Sequence, residues 1–181
     1  VITFQTGDAE RMRLDASGRI GIGTTPETDW HSNYDALQIN GGSAIGAYTS
    51  SSVFGTVIST NQRTTGDTFI GGNKYIATAP ASLYLQENTG QHVWYTAPSG
   101  SADATISWAE RMRIDSSGNV GIGTTSPASY YSAQLVVSVP DEDGITIVNG
   151  TSDTGYLMFA DGTTGSQAYE GYIGYDHNLN Q

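Results

Sequence analysis

The chain has 181 residues, enough for one or two ordinary domains, and a formal net charge of −11 at pH 7. That charge argues against nucleic acid as a partner, because binding its backbone requires a basic face, and the lack of cysteine excludes a disulfide framework and a thiolate metal site. Gly, Ser and Thr supply 64 residues, and the strand formers between them predict an all-β protein. Because no run of 18 apolar residues is present, we predict no membrane insertion.

The first predicted element is a short strand at residues 1–6, VITFQT, and it leads into a segment that occurs twice. Residues 9–25 and 109–125 are identical at 13 of 17 positions. The four differences are mild, except that Arg19 becomes Asn119. We call these segments, extended to their prolines as residues 9–26 and 109–127, the first and second joint. Five of the seven cations of the chain lie in the joints, which indicates a specific role for positive charge there.

Each joint is predicted to be a β-hairpin. Asp15 and Gly18 stand at the first and fourth positions of a type I turn, and Gly18 suits the left-handed conformation of a bulged loop. Closing the hairpin there puts Arg13 opposite Gly21. Strand alternation then separates an apolar face from a face of arginines and glycines. The apolar face of the first joint holds Met12, Leu14, Ile20 and Ile22.

The arginine and glycine face of each joint is predicted to pack against copies of the chain. A hairpin needs further apolar cover, and glycine in a strand marks the close approach of another backbone. We expect the arginines to bridge to carboxylates such as Glu10 and Asp15 of neighbouring chains. The alternative is an exposed hairpin whose arginines only keep it soluble. The predicted packing residues are Arg11, Arg13, Asp15, Gly18, Gly21 and Gly23, and Arg111, Arg113, Asp115, Gly118, Gly121 and Gly123.

The joints divide the chain into four predicted segments. Residues 1–26 end one repeat, residues 27–108 form a β-rich insertion, residues 109–127 are the second joint, and residues 128–181 open a third, truncated repeat. Within the insertion, SSVFGTVIST, DTFIGG, ASLYLQEN and HVWYTA alternate as strands between turns. The runs YDALQINGG and YSAQLVVSV, which follow the two joints, look alike. Because the chain begins without Met or a leader, we expect it to be part of a longer protein.

The run AERMRIDSSGNVGIGTTSP strongly resembles a motif that recurs along the fibres and spikes of tailed bacteriophages, often upstream of a self-cleaving intramolecular chaperone domain. The resemblance covers residues 9–26 and 109–127, and the final YIGYDHNLNQ is similar to the segment that leads into another copy. It implies an elongated, intertwined parallel homotrimer of short β-strands and hairpins, located in the virion. The implied function is a structural segment that projects and positions host-receptor binding.

Motifs for catalysis or metal binding are absent from the sequence. The histidines at positions 31, 92 and 177 form no His-x-His or His-x-x-x-His pair, and no nucleophile elbow or phosphate loop is present. DED at 141–143 is interpreted as a solvated turn, with a Ca²⁺ site as the alternative. A polysaccharide-degrading spike needs two opposed carboxylates. Candidates without a defined pair are Glu87, Glu142, Asp161 and Glu170. We therefore predict no enzyme activity, no cofactor and no metal.

The aromatic residues support a second hypothesis, a glycan-binding receptor module within the fibre. Eleven Tyr and three Trp exceed what small cores need, and aromatic faces stack on sugar rings. The alternative is that Tyr fills strand positions with its hydroxyl in water. The predicted partners are copies of the chain in a homotrimer and, under the second hypothesis, a host cell-surface glycan. The candidate glycan-binding residues are Trp94, Tyr95, Tyr130, Tyr131 and Tyr172.

Overall fold

The computed structural model describes residues 1–49, 54–131, 134–141 and 143–176. Half of the chain is in strands and there is almost no helix, so the all-β prediction is confirmed. The chain divides into two compact units, Val1–Ser138 and Val139–Gln181. The predicted segments up to residue 127 lie in the first unit, and the fourth segment is shared between both. Within the described ranges, no helix has the length and apolar character to cross a membrane.

The first unit is built around one large sheet. Its strands are β1 (Ile2–Thr6), β2 (Ala9–Leu14), β3 (Ile20–Ile22), β4 (Tyr34–Ile39), β5 (Ser43–Thr49), β6 (Phe54–Thr60), β7 (Gln62–Thr64), β8 (Asn73–Tyr75), β9 (Ala79–Glu87), β10 (His92–Gly100), β11 (Ala109–Ile114), β12 (Val120–Ile122) and β13 (Leu135–Val137). Eleven strands form the sheet in the order β1-β2-β3-β4-β5-β6-β9-β10-β11-β12-β13, and β7 pairs with β8 separately. A 3₁₀ turn at Pro127–Ser129 precedes β13.

A four-strand arrangement occurs twice in this sheet. β1 pairs antiparallel with β2, β2 antiparallel with β3, and β3 parallel with β4. β10, β11, β12 and β13 repeat the same order and directions. Both copies contain a β-bulge. In the first copy Arg11 has no opposite residue on β1, and in the second copy Arg111 has none on β10. The structural repeat therefore includes one strand before and one strand after each joint, and is longer than the sequence repeat. The similar runs YDALQINGG and YSAQLVVSV contain the equivalent strands β4 and β13.

The joint hairpin has the register that the sequence predicts. Arg13 lies opposite Gly21, and the apolar pairs on either side match the prediction as well. Gly18 and its equivalent in the second joint have φ of 82° and 83°, the left-handed conformation that the turn requires. The Asp15 carboxylate accepts two hydrogen bonds from backbone N–H groups of the turn, at 2.8 and 3.0 Å. These bonds fix the turn locally.

One face of the sheet, the covered face, is buried by the chain's own loops. Val57, Leu85 and Val93 on this face are each 1% exposed. Burying an aliphatic side chain of this size contributes about 1.5–3 kcal/mol. The side chains that pack over the covered face come from the linker before β4, from the segment around β7 and β8, and from the loop before β11. They are Trp30, Phe69, Tyr75, Ile106 and Trp108.

The opposite face, which we call the open face, carries an unbroken line of large apolar side chains. Each strand of the sheet contributes one residue, and each residue is the register partner of the next. This apolar row runs through Ile2, Leu14, Ile20, Leu37, Ile45, Ile58, Tyr84, Trp94, Met112, Ile122 and Val137. Ile2 is 56% exposed and Ile58 is 49% exposed.

The second unit contains an antiparallel hairpin of β14 (Thr154–Phe159) and β15 (Gly171–Asp176), with a 3₁₀ turn at Gly165–Tyr169 between them. Both faces of this hairpin carry exposed apolar side chains, with Leu157 and Ile173 on one face and Met158 on the other. A two-stranded hairpin is at best marginally stable in water, so these side chains need further cover.

Candidate assembly interface and candidate binding residues

The apolar row forms the core of a larger apolar band on the open face. Eleven strands at a spacing of about 4.8 Å make the row about 50 Å long. A second line of apolar side chains flanks it on four strands of the first joint region and on three strands of the second, so the band is about 14 Å wide there and about 7 Å wide elsewhere, with an area of roughly 600 Å². The largest apolar patch on a typical monomer is about 300–600 Å². The flanking residues are Phe4, Met12, Ile22 and Ile39, and Ile114, Val120 and Leu135.

The arginine and glycine side of each joint lies on the covered face. Arg113 is the register partner of the core residue Val93. It binds both carboxylate oxygens of Glu110, at 2.6 and 2.8 Å, and the side chain of Gln91 at 2.8 Å. The hydrogen bond with Glu110 raises the pKa of Arg113. The second joint thus satisfies its inner arginine within one chain.

The first joint makes the same ion pair, because Arg13 binds both oxygens of Glu10 at 2.5 and 2.8 Å. Arg13 and Arg113 therefore each pair with a carboxylate of their own chain, and the expected bridges to carboxylates of neighbouring chains stay a prediction. The bulge at Arg11 shifts side-chain alternation by one residue, so that residues three apart share a face. In a regular strand they would point to opposite faces.

Arg11 and Arg111 are the outer arginines of the joints and are both exposed. Each donates a hydrogen bond to a threonine on the neighbouring strand, Thr6 at 2.7 Å and Thr96 at 2.8 Å. Among the described residues neither has a carboxylate partner. Their exposed guanidinium groups are available to carboxylates of another chain.

The joint glycines are required by the chain itself. A Cβ on Gly121 would lie 2.8 Å from the carbonyl oxygen of Thr124, and one on Gly21 would meet the equivalent loop of the first joint more closely. Gly23 and Gly123 have φ of 68° and 72°, which strains other residues. The close approach that the sequence predicted from another backbone is made by the loop that follows each hairpin.

The turn carboxylates have lowered pKa values. Partial burial raises the pKa of Asp15, but hydrogen bonds from the turn backbone and from Arg19 bring it below its ordinary value. A side-chain hydrogen bond from Asn119 lowers the pKa of Asp115. Both groups therefore stabilise their turns in the ionised form.

Trp94 and Tyr95 lie on opposite faces of β10 because side chains alternate along a strand. Trp94 belongs to the apolar row, and its ring stacks on Tyr84 at 4.9 Å between centroids. Tyr95 is 8% exposed and meets Trp108 edge-on at 6.4 Å. Burial raises the pKa of Tyr95 to about 12. Tyr95 is therefore a core residue, which corrects its prediction as a glycan-binding residue.

The other three candidate glycan-binding residues are exposed. Tyr130 and Tyr131 follow the second joint, and Tyr131 makes little contact with the described chain. Hydrogen bonds with Ser138 and Thr124 lower the pKa of Tyr130. Tyr172 belongs to the second unit, where its ring meets Tyr156 edge-on at 5.3 Å.

The structure describes most of the carboxylates considered for catalysis or calcium, namely Glu87, Asp141, Asp143, Asp161 and Glu170. Within the described ranges, no group of three His, Asp or Glu side chains is positioned to hold a metal. Asp141 and Asp143 are exposed. Glu142 and His177 lie outside the described residues.

The sequence analysis did not identify Arg63, a buried arginine that forms ion pairs with two of the loops over the covered face. Arg63 is 5% exposed and forms ion pairs with Asp29, at 2.6 Å, and with Asp103. It also donates to the carbonyl oxygen of Tyr75 at 3.2 Å. Its signal in the sequence is that Arg63 and Lys74 are the two cations outside the joints.

The fold defines an all-β protein with a repeated four-strand arrangement and an open apolar sheet face. No protein-family model matches the chain, and no curated protein matches it. Its function is therefore inferred from this geometry and from the joint motif.

Proposed function

We propose that the chain is a structural segment of a phage tail fibre or tailspike that assembles as a parallel homotrimer and positions host-receptor binding. The observation that carries the proposal is the apolar row, to which every strand of the eleven-stranded sheet contributes. Three open faces can close around a threefold axis, so that each face is buried against two copies. The resemblance of the joints to a fibre motif supports the same assembly.

The size of the apolar band supports a stable interface. Roughly 600 Å² per chain is about three quarters of the ~800 Å² per partner of a standard protein interface. Buried area does not convert directly to affinity, so the support comes from the continuous apolar character of the band together with its size.

Native mass measurement tests the proposal. We expect the wild-type chain at three times its 19.1 kDa mass. Ile58→Glu places a charge in the middle of the apolar row and should give monomers that keep the far-UV signal of strands. Ala16→Glu adds the same charge at an exposed turn position and should leave the trimer intact. A wild-type monomer, or an Ile58→Glu variant that assembles normally, would contradict the proposal.

A glycan-binding module within the same fibre is the second candidate function, and the exposure of Tyr131 and Tyr172 favours it. Trp94 does not add to it, because the proposed trimer buries the apolar row. Binding on a glycan array that is lost in Tyr131→Ala or Tyr172→Ala would support this function. Binding that neither variant changes would exclude these two residues from it. No specific observation on the described residues favours a polysaccharide-degrading spike.

A further inference from the structure

The chain contains two Asn-Gly dipeptides, one in each compact unit. Asn40 and Gly41 lie between β4 and β5, and Asn149 and Gly150 precede β14. An asparagine that is followed by glycine can lose its side-chain amide without an enzyme, because glycine has no Cβ to keep its backbone nitrogen away from the asparagine Cγ. A β-branched residue precedes each asparagine, so the two sites are alike in sequence and differ in how the fold holds them.

The first site is held in a tight hairpin loop. Asn40 has φ of 49°, and its backbone N–H donates to the carbonyl oxygen of Ile22 at 2.7 Å. The strands close on either side of the loop, since Ile39 and Ser43 are register partners. The side chain lies against the first joint, where a Cβ on Gly23 would meet the Asn40 Oδ1. Attack on Cγ requires the Cα–C bond of Asn40 to rotate until the next nitrogen eclipses Cβ, and these contacts oppose that rotation.

The second site has no comparable restraint. Asn149 and Gly150 are exposed and lie outside the strands and turns. Among the residues that the structure describes, neither backbone N–H group has a hydrogen-bond acceptor. The carbonyl oxygen of Gly150 accepts a hydrogen bond from Asp153 at 3.1 Å, which leaves the nitrogen of Gly150 able to move. Backbone segments with few hydrogen bonds open locally at little cost in free energy.

Deamidation at this site needs only water. The backbone nitrogen of Gly150 attacks the Asn149 Cγ and forms a C–N bond, while the proton of that nitrogen passes to the departing amide. The Cγ–Nδ2 bond breaks and ammonia leaves, which gives a cyclic imide. Water then adds to either imide carbonyl and opens the ring to aspartate or isoaspartate. The net change converts an amide and water into a carboxylate and ammonium.

We propose that Asn149 is a site of spontaneous deamidation, and that the fold protects Asn40 from the same reaction. The observation that carries the inference is the contrast between an exposed dipeptide without backbone hydrogen bonds to its nitrogens and one held in a hairpin loop. Each event adds one negative charge to the formal net charge of −11. The inference goes beyond the structural role proposed above and does not rest on it.

The modification changes the surface of the second unit. Asn149 lines a groove of about 400 Å³ together with the apolar residues Ile147, Leu157 and Ile173. The Asn149 Oδ1 lies so close to Gly155 that a Cβ there would meet it. Deamidation puts a carboxylate at this groove, and isoaspartate also lengthens the main chain beside it. Fresh and aged chains therefore differ in the chemical group that the groove presents.

Peptide mapping by mass spectrometry tests the site on the full chain during incubation at neutral pH. One digest reports deamidation at both asparagines, and an isoaspartyl methyltransferase labels the isoaspartate product. We expect Asn149 to react about tenfold faster than Asn40 or more. Unfolding in urea should bring the two rates together, because the dipeptides are then alike. Gly150→Ala should slow the reaction at Asn149 about tenfold or more, since a Cβ hinders the attack. Gly41→Ala is the matched control and should leave the rate at Asn149 unchanged.

A second variant tests the site without changing the glycine. Asn149→Gln keeps an amide, but its longer side chain closes the corresponding ring far less readily, so the more negative species should no longer accumulate on ion exchange. Equal rates at the two asparagines of the folded chain, or a slower rate at Asn149, would overturn the proposal. A wild-type rate in Gly150→Ala would overturn it as well. The native mass of the same samples reports on the proposed trimer separately.

Discussion

Replacing Arg113 by alanine tests how far the joint arginines stabilise the chain that carries them. The side chains of Arg113 and Glu110 are 18% and 9% exposed, whereas those of the equivalent pair, Arg13 and Glu10, are 27% and 28% exposed. Arg113→Ala leaves the Glu110 carboxylate largely buried without its cation, and it also removes the bond to Gln91. The second joint should therefore depend on its arginine more than the first.

The expected magnitude follows from this partial burial. Removing one partner of a buried ion pair costs about 3–5 kcal/mol, and an exposed pair contributes about 0–1 kcal/mol. Arg113 lies between these limits, so we expect its removal to lower the free energy of unfolding by about 2–3 kcal/mol. For a unit the size of Val1–Ser138 this corresponds to a fall in Tm of about 10 °C.

Thermal melting at one fixed protein concentration is the assay, because the Tm of an assembly depends on concentration. Arg13→Ala is the matched control and should give the smaller fall in Tm, since water reaches both partners of its pair. Equal and small effects of the two variants would refute the reasoning. They would mean that the pair with Glu110 is as well solvated as the pair with Glu10.

Three further predictions concern positions that the structure separates clearly. Gly121→Val should destabilise the first unit by about 1–3 kcal/mol, because the new valine side chain meets the loop that follows the hairpin. Gly41→Val is the control: its side chain enters open space, so the same melting experiment should show little change. Tyr95→Ala should lower the free energy of unfolding in urea by about 3 kcal/mol, and Tyr131→Ala by less than about 0.5 kcal/mol. The lowered pKa of Asp115 stabilises the fold fully above the unfolded value near 4 and progressively less as the pH falls through the folded value. The Tm difference between wild type and Asp115→Asn should thus be constant from about pH 8 to 5 and shrink below about pH 4.

The joint hairpin was predictable residue by residue because everything that fixes it is local. The Asp15 carboxylate and the left-handed Gly18 define the turn, and the turn sets the register of both strands. The apolar face of the hairpin follows from alternation alone. The faces of Trp94 and Tyr95 follow from the same rule, which places one of the two in the core.

The partners of the joint arginines were not predictable, because they depend on a non-local feature. The bulge at Arg11 arises from pairing between β2 and β1, and no local pattern marks it. Without the bulge, Glu10 and Arg13 would lie on opposite faces and could not pair. For the same reason, the apolar row could not be traced from sequence, since it requires the register of ten successive strand pairs.

The path of the apolar row gives a physical reason for the repetition of the joint. In the first joint the row passes through Leu14 and Ile20, next to the turn, and in the second through Met112 and Ile122, one pair further away. One pair is about 7 Å along a strand, and β2 and β11 are seven spacings, or about 34 Å, apart, so a line through equivalent positions of the two joints is inclined by roughly 10° to the row. If the row follows the axis of the proposed trimer, the strands lie nearly across that axis and each adds about 4.8 Å to its length. Each joint then supplies the same four-residue apolar patch at a new height, and repeating the motif extends the contact between copies.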